Sequence, residues 1–150
     1  MYKILLALHL LFAIFAIGPL VHAATTAGRG VRTGDSAAIA SSARVLRIYA
    51  YVSVLVVLIG MALMSVNSPD EKGRKVAQFS EAWIWLSVLL WLFAVGIVIG
   101  VLVPALTKAT ALVGTQSPKA SGLGRVAASG GIIGLVFAVI VLLMVYQPGH

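Results

Sequence analysis

Four side chains in the apolar stretches of this chain are of a type that binds metal or haem iron: His9, Met61, Met64 and Met144. An imidazole and a thioether together ligate haem iron, and the same pair suits copper. His9 lies in "MYKILLALHLLFAIFAIGPLVHA" and is the one ionisable residue well inside an apolar run. At 1.5 Å per residue it sits about 10 Å below the start of its helix. An ionisable group at that depth marks a functional site by default and faces the protein interior. Three roles fit it. It packs as a neutral group hydrogen-bonded to Ser53, Ser65, Ser87 or a backbone carbonyl; it ligates a metal or haem with one of the methionines; or it relays protons or touches a quinone. His22 and His150 lie near opposite ends and cannot complete the site, so one chain offers no bis-histidine haem.

Other chemistry is scarce. There is no H-E-x-x-H, no Walker loop, no G-x-S-x-G and no carboxylate pair in an apolar run. With no cysteine, thiolate metal sites, thiol catalysis and disulfides are excluded. Asp70 and Glu71 adjoin in a polar stretch and read as solvated. A dedicated ion pathway would place more charges in the spans. The chain therefore reads more readily as a non-enzymatic protein than as an enzyme.

Composition sets the elements that carry these residues. The chain is 61% hydrophobic and 10% charged over 150 residues, with a mean hydropathy of +1.07. Soluble domains carry about a quarter charged residues, so this is an integral membrane composition. A helix crossing the hydrocarbon layer needs about 20 apolar residues. Four segments qualify, at about 4–23, 48–66, 83–106 and 126–146, giving an all-α, single-domain, antiparallel up-down four-helix bundle. The net charge of +7 is spread over the connections, without a basic stripe interleaved with aromatics, which speaks for membrane flanks and against nucleic acid.

The opening stretch resembles a secretory signal peptide ending in V-H-A. Its apolar run is long for a signal core, and four arginines follow it, so it reads as the first membrane helix, ending at V-H-A after a Gly-Pro kink. The first connection is partly helical: Asp35 is a good N-cap and an alanine-rich stretch follows. Asn67 to Pro69 stop the second span, Pro104 kinks the end of the third, and Gly114 ends it. Connections one and three hold Arg29, Arg32, Arg44, Arg47, Lys108, Lys119 and Arg125; the other side holds Lys3, Lys72, Arg74 and Lys75. The positive-inside rule puts connections one and three in the cytoplasm and both termini outside, in a bacterial plasma membrane.

Small residues and polar contacts decide packing between helices in lipid. Gly96 with Gly100, and Gly130 with Gly134, are each G-x-x-x-G pairs, and the two smooth faces are expected to meet in the cytoplasmic half. Arg44 and Arg47 lie on one helical face at headgroup level, and Trp83 and Trp85 belong to an aromatic belt. Bulky residues at the outer end predict a bundle tight inside and wider outside.

Three stretches, "LLALHLLFAIFAIGPLV", "RVLRIYAYVSVLVVLIGMALM" and "GVLVPALTKA", with the closing "LLMVYQP", resemble a bacterial family of four-helix integral membrane proteins of unknown function. That family is distantly similar to the copper-resistance D proteins and the HemJ-type protoporphyrinogen oxidases. The latter resemblance implies a four-helix fold and a haem held at the position of His9. The later helices carry no equivalents of the further polar residues that HemJ-type proteins use. Two functions are therefore expected: an accessory or assembly subunit that contacts lipid and packs against larger membrane proteins, or a haem- or copper-binding redox protein using His9.

Overall fold

The computed structural model describes residues 1–66, 77–78, 80–113 and 123–148. Among these all regular structure is helical, with no strand. Four helical spans are long and apolar enough to cross a membrane: Tyr2–Thr33, Ser36–Met64, Ala82–Leu112 and Gly124–Tyr146.

The first two spans, α1 (Tyr2–Thr33) and α2 (Ser36–Met64), form one long hairpin. Gly34 takes the left-handed conformation (φ 66°, ψ 24°) that ends α1, which glycine adopts without steric cost. Asp35 then caps α2, its carboxylate accepting from the Ala38 N–H at 3.0 Å. The cap falls where expected; the connection does not. α1 runs unbroken through Pro19 and past V-H-A, so the Gly-Pro pair does not lead to a helix end. The reason lies in the pairing. His9, Ala16, Ala23 and Gly30 recur every seven residues on α1, interleaved with Leu20 and Ala27. Ile39, Leu46, Ser53 and Gly60 recur likewise on α2, interleaved with Ala43 and Ala50. Gly30 lies against Ile39 and His9 against Gly60, three heptads apart on both helices. The hairpin is thus an antiparallel seam of coiled-coil spacing, filled with small residues. At 32 residues α1 is about 48 Å long, well over the roughly 30 Å of hydrocarbon, so a paired tip is left over.

The third span changes character midway. The helix α3 (Ala82–Ile97) passes into a π turn (Val98–Leu102), then continues as α4 (Val103–Leu112). Pro104 supplies the cause. Its ring crowds the Gly100 carbonyl and offers no N–H to it, and a local π adjustment relieves both faults. The Val103 N–H reaches back five residues to the Val98 carbonyl. Pro104 therefore widens a turn before itself and does not end the helix, which reaches Leu112; Gly114 and Asn67–Pro69 lie outside the described residues. The last span is α5 (Leu123–Tyr146).

Around the bundle, α1 packs on α2 and α5, while the third span shares its contacts: α3 lies on α5, and α4 on α2. The main core occupies the half nearer the hairpin turn, from Leu20 and Ala27 through Leu46, Leu102 and Leu106 to Ile133 and Phe137. A separate small cluster of Met64, Ala77, Trp83 and Ile84 closes the opposite end.

Candidate functional site

Between the two clusters lies a polar layer made by helices α2 and α3. Ser53 and Ser87 are buried within it. Each serine hydroxyl turns back on its own helix: Ser53 donates to the Ala50 carbonyl at 2.7 Å and Ser87 to the Trp83 carbonyl at 2.8 Å. Ser65, at the end of α2, donates to the Ala62 carbonyl at 2.7 Å. None of the three hydroxyls expected to hold His9 does so, because a helical serine finds a carbonyl within its own last turn. Ser53 has a second bond, accepting from the Trp91 indole N–H of α3 at 3.0 Å. Trp91 thereby ties α2 to α3 through the layer. Sequence reading passed it over, since an indole in the middle of an apolar run looks like filler until its one donor is traced.

His9 sits where α1 crosses Gly60 of α2. A Cβ on Gly60 would stand 3.0 Å from His9 Cε1 and 3.4 Å from Nδ1, so the imidazole fills the space a side chain would take. The Val56 backbone, one turn along α2, is the polar group beside the ring, the backbone alternative to the three serines. His9 Nδ1 is buried and makes no hydrogen bond. Ala13 and Ala16 share the face of His9, and Ala16 is fully buried against α2.

The methionines do not converge on this ring. Met64 is buried in the end cluster with Trp83 and Ile84, while Met61 and Met144 are exposed. No group of three or more His, Cys, Asp and Glu side chains that could hold a metal ion exists among the described residues. Met61 and Met144 thus lie on the outer surface, and Met64 belongs to the end cluster.

The glycine pairs part company. Gly130 of α5 touches the α1 backbone: a Cβ there would overlap the Ala24 carbonyl oxygen, with the carbonyl carbon 2.9 Å away and Thr25 Cα 3.3 Å away. Gly134, one turn on, faces Thr25 Cγ2 at 3.7 Å and Val21 Cγ1 at 3.9 Å. Gly96 and Gly100 have nothing within 4 Å of where a Cβ would stand. The two faces do not meet each other. Gly130 and Gly134 are spent on α1, whose small residues Ala24 and Ala27 allow the backbones to close, while Gly96 and Gly100 look outward.

Arg44 and Arg47 are exposed on α2, as a headgroup-level pair requires. Trp85 is exposed, but Trp83 is turned inward, only 7% accessible. Its indole N–H donates to Glu81 Oε2 at 2.6 Å, and Glu81 Oε1 accepts from the Gln78 N–H at 3.0 Å. Trp83 thus locks the start of α3 and is not a headgroup anchor. His22 is exposed near the middle of α1, and His150 lies outside the described residues.

Comparison with protein-family models, curated proteins and solved structures returns no match to this chain.

Proposed function

We propose that the protein is a small, non-enzymatic, multi-pass subunit of a bacterial plasma membrane that packs against a larger membrane protein and helps assemble or stabilise it. In this reading the hairpin turn and the α4–α5 connection face the cytoplasm and both termini lie outside, in up-down order. The arginines at 29, 32, 44 and 47 support that orientation.

The observation that carries the partner is the open face at Gly96 and Gly100. Helices associate in lipid where small residues let backbones approach. This chain uses one such face internally, at Gly130, and leaves the other uncovered. The exposed faces around it, including Leu89, Leu92, Phe93 and Ile99, are apolar and suit either lipid or a neighbouring helix.

The test is purification of the tagged full chain in a mild detergent, with mass spectrometry of what accompanies it. A stoichiometric membrane protein should be recovered, and Gly96→Leu with Gly100→Leu should lose it without lowering the chain's own melting temperature. Recovery as a monomer or homodimer alone would overturn the proposal.

A second reading keeps His9 as a ligand to haem or copper. It is favoured by the buried Nδ1 that makes no hydrogen bond, and the further ligand would be supplied by a partner chain. An absorbance spectrum of the gently extracted complex should then show a Soret band or bound copper, lost in His9→Ala. A colourless, metal-free complex removes this reading.

A further inference from the structure

Between α2 and the π turn lies a surface cavity of about 390 Å³. Its floor is apolar, made by Ile99 of the π turn with Val103 and Pro104. Its rim carries two cations from different helices, Arg47 of α2 and Lys108 of α4, with Tyr51 and Thr107 beside them. No acidic side chain lines it. The chain's four acids are Asp35, Asp70, Glu71 and Glu81. Asp35 is engaged as the cap at the hairpin turn, and Glu81 opens α3 at the other end of the bundle.

Depth adds a second argument. Arg47 immediately precedes the apolar run of α2, and Lys108 follows that of the third span by two residues. Both charges therefore stand at the same edge of the hydrocarbon layer, where Lys and Arg reach headgroups. The floor descends from them into the apolar zone, because the widened turn before Pro104 shapes the third span at that level. A ligand that fits has a negative group at its head and a hydrocarbon tail beneath it.

We infer that this groove is a binding site for an anionic glycerophospholipid, its phosphate held between Arg47 and Lys108 and an acyl chain lying over Ile99, Val103 and Pro104. The Tyr51 ring, one turn deeper than Arg47, lines the passage from phosphate to chain. The inference rests on the membrane reading and on the groove, and holds whether the protein acts alone or within a complex.

Native mass spectrometry of the detergent-solubilised full chain, titrated with phosphatidylglycerol, phosphatidylcholine or inorganic phosphate, tests it. Phosphatidylglycerol should be retained in preference to phosphatidylcholine, and inorganic phosphate should not displace it. Arg47→Gln with Lys108→Gln should weaken retention roughly tenfold or more, given the attraction each cation contributes near a membrane surface. Arg29→Gln with Arg32→Gln, which removes the same charge elsewhere, should leave retention unchanged. Ile99→Trp, which fills the groove and keeps both cations, should also weaken it. Equal loss in the Arg29/Arg32 variant, equal retention of phosphatidylcholine, or displacement by inorganic phosphate would each overturn the inference. The melting temperature of each variant, taken without added lipid, separates loss of binding from loss of fold.

Discussion

At the scale of single residues, the polar layer distinguishes groups that stabilise the bundle from groups that do not. Trp91 and Ser53 satisfy one another across two helices. Trp91→Phe should cost about 0.6 kcal/mol, the typical worth of such a bond in a membrane protein, read as a small fall in melting temperature in detergent. His9 behaves in the opposite sense. A buried polar atom left without a partner costs about 1–3 kcal/mol, and an apolar replacement of similar shape avoids that cost. His9→Leu should therefore leave the melting temperature of the isolated chain unchanged or raise it. His9→Ala should lower it, since the volume beside Gly60 is emptied. A marked fall in His9→Leu would mean that the imidazole has a stabilising partner. The presence of His9 at membrane depth was legible in the sequence; its partners were not. Whether a serine hydroxyl points across to a neighbour or back along its own helix depends on rotamer and crossing, neither of which the order of residues encodes.

At the scale of elements, four membrane spans were legible because runs of about 20 apolar residues leave few alternatives. Their ends were harder. The tip of the hairpin looks like a polar loop by composition, with its threonines, glycines and arginines, yet the sevenfold recurrence of Ala23, Gly30, Ile39 and Leu46 keeps both helices paired to the turn. Asp35→Ala should cost about 1 kcal/mol by leaving the first N–H groups of α2 without their acceptor. Melting in detergent, with circular dichroism to follow helix content, measures it. The glycine pairs offer a sharper contrast. Gly130→Ala forces a methyl group into the Ala24 carbonyl, a backbone atom with no side-chain freedom to yield. It should destabilise by about 1–3 kcal/mol, the usual cost of overpacking. Gly96→Ala and Gly100→Ala meet open space and should be neutral, or slightly stabilising through helix propensity, in the isolated chain. The motif alone does not separate these cases, because G-x-x-x-G states that a face is smooth and not what lies against it.

At the scale of the whole molecule, the tight inner end expected from the meeting of two glycine faces is not made in that way; among the described residues the larger core cluster lies nearer the hairpin turn and a smaller one at the opposite end. What was not legible is the division of the third span between two neighbours, α5 for α3 and α2 for α4, which follows from the turn ahead of Pro104. The proposed orientation makes its own prediction. A fluorescent reporter inserted at Gly34–Asp35 should be active in the cytoplasm, and a periplasmic alkaline phosphatase fused to the C-terminus should be active outside. Replacing Arg29, Arg32, Arg44 and Arg47 by Gln leaves three basic residues on that side against four on the other. Mixed or inverted insertion should follow, seen as reporter activity divided between the two sides.

The contact of His9 with Gly60 also acts on alignment. A seam in which alanine or glycine recurs at every seventh position of α1 is nearly self-similar: α1 displaced along α2 by one heptad, about 10 Å, would set Ala16 against Gly60, Ala23 against Ser53 and Gly30 against Leu46, again with a small residue at each rung. The imidazole breaks that sameness, because it has one notch, and after such a slip an alanine would stand at Gly60 while His9 moved off to another rung. A single polar residue in a coiled-coil seam fixes register at a cost in stability. On this account the free Nδ1 is the penalty for a unique alignment. The chain has no cysteine, so a disulfide pair placed at Gly30 and Ile39 can measure that alignment directly. It should close in the parent chain and close less completely in His9→Leu, where shifted pairings compete.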